Sequence, residues 1–230
     1  MADARSDVLR SSTATLATLD TQGAALATAA GAALGDVGLG ASLLAVLVTQ
    51  RARVLAAMDL VARAQSTLDR EDSEDAAARQ EREAAEAALR EAARAARAAV
   101  TAAFPKATVV AAGLEFALPR DGALAVAAGR ALAAGLLRLP AAAGPAGVSV
   151  DTAALAGAVR AAADQAEAAL ATATRERVET AQARAGLRGA VDALSDRRVE
   201  LSALLAGVAR LAGDAGTAEA LGMDAVDGSF

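Results

Sequence analysis

Apolar residues recur three and four positions apart through much of the segment from residue 151 to about residue 212. This spacing places them along one side of a helix, and a partner helix covers such a side in coiled coils and helical bundles. Arg198 interrupts the series. The pattern predicts a long helix with an apolar seam, the row of residues that meets the partner. The seam residues in this segment are Leu187, Val191, Leu194, Leu201, Leu205 and Val208.

A second segment, residues 42–104, shows the same periodicity, and it lies in a stretch with no Gly or Pro between positions 40 and 105. Ser42 is predicted to cap the start of this helix, and Pro105 is predicted to end it. The acidic run at 70–75 interrupts the seam and is compatible with either one helix or a corner between two. We favour one helix, because no strong helix breaker is present. The seam residues here are Val54, Met58, Val61 and Leu68.

The segment between the two long helices, residues 105–150, is predicted to form a small apolar head. Alternating apolar residues precede a Pro-Arg-Asp-Gly sequence at 119–122, and a second apolar run follows at 123–128. This order is typical of a β-hairpin, so the head contains a candidate hairpin. Residues 109 and 110 are a candidate third strand, and 129–139 are a candidate helix. The head residues singled out are Leu114, Phe116, Leu118, Leu124 and Val126.

The simplest fold for this pattern is all-α: a long antiparallel helical hairpin, either a coiled coil or a bundle, with the head inserted at one end. The N-terminal helix is expected to pack against the other end. The resulting organisation is a helical segment with a Gly-rich end (1–41), a long helix (42–104), the inserted head (105–150), a long helix (151–213) and a flexible acidic tail (214–230).

The residue types that carry most enzyme chemistry are missing from the chain. It contains no His and no Cys, which excludes the commonest general base, the thiol nucleophile and most transition-metal sites. It also lacks a G-x-S-x-G motif, a P-loop and a dinucleotide-binding glycine motif that opens a helix after a strand. We therefore predict a non-enzymatic protein with no catalytic residues, no cofactor and no small-molecule substrate.

The acidic run is the strongest metal candidate in the sequence. Glu71 and Asp75 lie four positions apart, so on a helix their carboxylates could share a hard cation such as calcium. A solvated charge run is the favoured interpretation, and no metal site is predicted. Arg130 and Arg138 lie in the apolar head and are expected to extend from the edge of an apolar face or to pair with Glu115 or Asp121, although a functional role is open.

The charge balance bears on partners and location. A net charge of −5, a single lysine and only three aromatic residues argue against nucleic-acid binding. The first 20 residues lack the basic start and compact apolar stretch of a Sec signal peptide. A cytoplasmic protein is the default expectation, and non-classical export stays open.

Two functions fit these features. The first is a structural or interaction protein that self-associates through its Ala-rich helices, as the subunit of a filament or another homo-oligomer. The second is a membrane-active protein, suggested by the charge-poor segments 23–48 and 122–148 beside polar helical arms. This layout is similar to that of α-helical pore-forming toxins, a resemblance that implies insertion of either segment, or both, into lipid. The first function is preferred.

Overall fold

The computed structural model describes residues 2–115, 117–139 and 150–226, with side chains described from residue 4 to residue 222. Throughout these ranges all regular secondary structure is α-helical, which confirms the all-α prediction. The helices are α1 (Ala2–Ala33), α2 (Val37–Ala103), α3 (Lys106–Ala111), α4 (Gly122–Leu136), α5 (Thr152–Leu211) and α6 (Ala215–Val226).

Helices α2 and α5 form the predicted antiparallel hairpin. The hydroxyl of Thr180 donates a hydrogen bond to the backbone carbonyl of Glu71 over 3.3 Å. Further along α2, Leu89 lies close to Ala163, since a methyl group added to Gly129 would touch both side chains. Positions that advance along α2 therefore meet positions that retreat along α5, which is the antiparallel arrangement.

The chain divides into two compact units, and each has its own core. The first unit contains residues 1–69 and 182–230, so α1, the first part of α2, the last part of α5 and α6 belong to it. Its core is built mainly from leucine and valine on α2 and α5, and α1 covers these residues with Leu16 and Leu19. Between α1 and α5 the buried hydroxyl oxygens of Thr15 and Ser202 lie 3.3 Å apart.

The second unit contains residues 70–181, which bring together the last part of α2, helices α3 and α4, and the first part of α5. Its core combines a few large side chains, such as Leu89 and Leu132, with many buried alanines. Small side chains let helices approach closely: a methyl group added to Gly135 of α4 would lie 2.6 Å from the carbonyl oxygen of Ala112. Ala-rich helices in this unit therefore pack almost backbone to backbone.

The predicted β-hairpin in the head is wrong, because no strand occurs in the described part of 105–150. Helix α4 begins at Gly122, directly after the expected turn, and the side chain of Asp121 caps it by accepting a hydrogen bond from the Leu124 amide over 3.0 Å. Aspartate is a favoured N-cap, and the alanines that follow are the strongest helix formers. Val126, Ala133 and other buried positions of α4 recur at helical spacing. The candidate third strand at 109–110 lies in α3, and the candidate helix at 129–139 is the later part of α4.

Two further boundaries differ from the expectations. Helix α2 begins at Val37, where Asp36 accepts a hydrogen bond from the Leu39 amide over 3.2 Å, and Ser42 lies inside the helix rather than capping it. The helix is unbroken through 70–75. Within the tail expected to be flexible, residues 215–226 are helical as α6, which Asp214 caps by accepting a hydrogen bond from the Thr217 amide over 3.0 Å.

Candidate interaction surface

The seam predicted for partner binding lies inside the first unit. Leucines and valines of the seam are fully or largely buried in its core, while Met58, Leu68 and Val191 are half-buried against the same cluster. Even Arg198, which interrupts the series, is buried. The residues that cover the seam belong to this chain, since side chains of α1 and α6 join those of α2 and α5 in one cluster. The buried seam residues are Val54, Val61, Leu187, Leu194, Leu201 and Leu205, with Val208 in a small adjoining cluster.

The predicted head residues are divided between the core and the surface of the second unit. Leu114 and Val126 are buried in its core, and Leu118 packs partly against them. Leu124 is 60% exposed. Phe116 lies outside the described residues. The head residues therefore serve mainly to build the second unit.

The turn between α1 and α2, together with the helix ends on either side of it, forms a charge-poor surface of the first unit. Asp20 of α1 and Arg51 of α2 form a two-point ion pair, with N–O distances of 2.7 and 3.2 Å. This contact lowers the pKa of Asp20, chiefly through the hydrogen bonds from Arg51. Between these two residues, only Asp36 carries a charge. We call residues 21–50 the uncharged end.

The uncharged end has two legs, the last part of α1 and the first part of α2, which pack tightly against each other. A methyl group added to Gly31 of α1 would lie 2.8 Å from the backbone nitrogen of Gly40 in α2. A methyl group added to Gly40 would in turn lie 2.9 Å from the carbonyl oxygen of Ala27. Gly35, with a φ of 70°, makes the turn between the legs in a backbone conformation that favours glycine. Glycine therefore allows the close crossing at this position.

One side of the uncharged end packs against α5 and α6, and the other side faces solvent. Leu47 is fully buried, whereas Val37 is 86% exposed and three other large apolar side chains are about half exposed. Exposed apolar surface on a protein commonly marks a contact site when it is extensive. The exposed large side chains are Leu34, Val37, Val46 and Val48.

Among the described helices, α2 alone is long and apolar enough to cross a membrane, judged by length and composition. The apolar stretch lies in the first part of the helix, before charged residues become frequent. Only 17% of that stretch is buried. Its surface is therefore available for contact with lipid or with protein.

The acidic run forms a network of ion pairs in the second unit. Carboxylate oxygens of Glu71, Glu74 and Glu176 lie within 4.8 Å of one another. Arg70 pairs with both Glu71 and Glu74, and Arg175 pairs with Glu176. Each arginine pairs with carboxylates of its own helix, so two positive charges lie beside the three carboxylates that α2 and α5 bring together.

The two arginines of the head behave differently from each other. Arg130 pairs with Asp164 at 2.7 Å and with Glu167 at 2.5 Å, both on α5, so the expected partners Glu115 and Asp121 are wrong. Hydrogen bonds from Arg130 lower the pKa of Glu167. Arg138 is exposed. Arg130 thus ties α4 to α5 within the second unit.

The chain matches no protein-family model, and comparisons with curated proteins and with solved structures find no match.

Sequence patterns pointed to part of this surface. Only Asp36 is charged from 23 to 48, and this scarcity of charge suggests the membrane alternative. Periodicity alone did not indicate which apolar residues would remain exposed, because the seam and the exposed side chains occur on the same helix.

Proposed function

We propose that this protein is a non-enzymatic structural or interaction protein, and that copies of it associate through the uncharged end. The observation that carries the proposal is the exposure of Leu34, Val37, Val46 and Val48 in a segment with a single charge. Burying this apolar surface against a second copy would remove it from water.

The proposed contact lies at the uncharged end, and not at the seam that the sequence analysis predicted to meet a partner. The seam is already covered by the chain's own helices, so a second copy would have to displace α1 to reach it. The uncharged end needs no rearrangement. Two copies also meet there with few like charges, despite the net charge of −5 on each chain.

The charge in the turn of the uncharged end favours protein over a bilayer as the partner. If residues 21–50 entered a bilayer as a hairpin, they would carry Asp36 into the lipid, and a buried carboxylate in lipid is costly.

Sedimentation velocity at increasing protein concentration, without detergent, tests the proposal. The wild-type protein is expected to form oligomers, and the double variant Val37→Glu/Val48→Glu is expected to stay monomeric, since it places charge on the contact. Leu60→Glu is the matched control, because Leu60 is 55% exposed on the same helix but lies outside the uncharged end. This control should associate like the wild type.

A wild-type protein that stays monomeric at the highest concentration would refute the proposal. So would equal loss of association in the Leu60→Glu control. If the wild type does associate, negative-stain electron microscopy would distinguish closed assemblies, expected from a two-fold contact, from filaments, expected from a head-to-tail contact.

A second candidate is the membrane-active function, which the exposed apolar stretch of α2 favours. Of the two segments proposed to insert, 122–148 contains α4, whose apolar residues are largely buried in the second unit. Segment 23–48 is therefore the one that this candidate would use. Flotation with liposomes tests it: co-flotation of the wild type, lost in Val37→Glu/Val48→Glu, would support it, and failure of the wild type to float would reject it.

A further inference from the structure

A cavity in the first unit has the chemistry of a ligand site. It has a volume of about 380 Å³ and lies where the start of α1 meets α2 and α5. Small-molecule sites typically enclose about 300–1,000 Å³ and combine apolar walls with a few polar groups. The cavity is small for such a site, but within the range.

The cavity combines an apolar wall with positive charge. Leu68, Leu187 and Val191, all residues of the predicted seam, contribute the apolar side chains. Arg5 of α1 and Arg188 of α5 also line it. Within the described part of the chain neither of these arginines forms an ion pair. Two guanidinium groups thus flank apolar surface, and no carboxylate of the described residues binds them.

A single carboxylate also lines the cavity, and it limits the charge of a suitable ligand. Asp192 lies one helical turn after Arg188 on α5 and carries negative charge to the same opening. Arg5 and Arg188 together outnumber this aspartate, so these three described lining residues carry a positive formal charge. A ligand with one anionic group and an apolar body matches this distribution better than a neutral or polyanionic ligand.

We propose that this cavity binds a small amphipathic carboxylate. The ligand carboxylate would accept hydrogen bonds from Arg5 and Arg188, because the planar guanidinium matches a carboxylate with two parallel donors. The apolar body of the ligand would lie against Leu68, Leu187 and Val191. This site is separate from the uncharged end, and its occupation does not depend on self-association.

Calorimetric titration of the full-length protein with octanoate tests the proposal. Octan-1-ol, which has the same chain length without charge, is the matched probe. We expect saturable binding of octanoate that is at least about tenfold tighter than binding of octanol, as charged hydrogen bonds predict. Equal affinity for the two probes, or no saturable binding of octanoate, would overturn the proposal.

Variants that change the charge of the cavity give results in opposite directions. Arg188→Gln should weaken octanoate binding by about tenfold. Asp192→Asn should tighten it by about two- to fivefold, because it removes a repulsive charge near the surface. A misfolded variant would not gain affinity, so the second result cannot arise from loss of structure. Arg53→Gln, an exposed arginine of the first unit outside the cavity, should bind octanoate like the wild type.

The location of binding is checked with the double variant Val37→Glu/Val48→Glu. Its uncharged end is altered, but its cavity is intact, so its affinity for octanoate should equal that of the wild type. Loss of octanoate binding in this variant would show that octanoate binds the exposed apolar patch, which would overturn the cavity proposal without bearing on self-association.

Discussion

The crossing of α1 and α2 predicts that one chemical change, glycine to alanine, has opposite effects at two positions of the first unit. Gly31 lies at the crossing, where a methyl group would meet the backbone of Gly40 at 2.8 Å and the carbonyl oxygen of Asp36 at 2.9 Å. Gly189 lies on an exposed part of α5, and a methyl group there would meet no atom within 4 Å. Both residues are inside helices.

The magnitudes follow from helix propensity and steric overlap. Replacing glycine by alanine inside a helix stabilises by about 0.8–1 kcal/mol, which is the full effect expected for Gly189→Ala. At Gly31 the same gain is opposed by overpacking, which typically costs about 1–3 kcal/mol. The obstructing atoms belong to backbone and cannot rotate away, so the helices must separate. We expect Gly31→Ala to be about 1 kcal/mol less stable than wild type and about 2 kcal/mol less stable than Gly189→Ala.

Urea unfolding monitored by far-ultraviolet circular dichroism measures these differences, because the chain has no Trp or Tyr to report by fluorescence. Dilute protein keeps association from adding to the measured stability. Gly40→Ala is a second test of the same crossing and should also destabilise. If Gly31→Ala proved as stable as Gly189→Ala, the close approach of α1 and α2 would be incorrect.

Three further predictions concern the core and the helix caps. Leu201→Ala should lower the free energy of unfolding by about 2–5 kcal/mol, because Leu201 is fully buried. The exposed control Leu60→Ala should change it by less than about 0.5 kcal/mol. Similar urea midpoints for the two variants would contradict the packing of Leu201. Asp121→Ala should lower the free energy of unfolding by about 1 kcal/mol and reduce hydrogen-exchange protection at the start of α4. The control Asp121→Asn should retain the cap. Unchanged protection in Asp121→Ala would argue against the cap. Hydrogen bonds from Thr217 lower the pKa of Asp214, so its ionised form stabilises the folded state. This stabilisation is present above the ordinary aspartate pKa and is lost as the pH falls through the lowered one. The hydrogen-exchange protection of α6, taken relative to the intrinsic exchange rate at each pH, should therefore fall with acid in the wild type but not in Asp214→Asn.

The long helices were predictable because their determinants are local. Periodic apolar positions are enough to indicate helices in both arms, the first arm also lacks Gly and Pro, and most of the residues picked as the seam lie in one packed cluster. The same reasoning failed at 122–128, where the apolar run after the turn sequence also fits helical spacing once Asp121 caps a run of alanines. A turn sequence and a helix N-cap use the same residue types, so short apolar runs beside them are ambiguous.

The candidate sites were predictable only in part. The scarcity of charge from 23 to 48, where only Asp36 is charged, is a property of the sequence, and it marks the uncharged end. The cavity is not visible in the sequence, because Arg5, Leu68 and Arg188 are far apart along the chain and come together only through packing of three helices. Arg130 illustrates the same difficulty, since its carboxylate partners lie 34 and 37 positions away on α5.

By itself, the sequence determined that this protein is built from long helices, that it lacks the common catalytic side chains, and that one stretch near its start carries almost no charge. These properties depend on residue type and on spacing within a few helical turns. The tertiary structure alone decided which apolar side chains are covered. Periodicity shows that a helix has an apolar side, but whether a residue of that side is buried depends on distant segments: α1 covers the seam, whereas no described segment covers Val37.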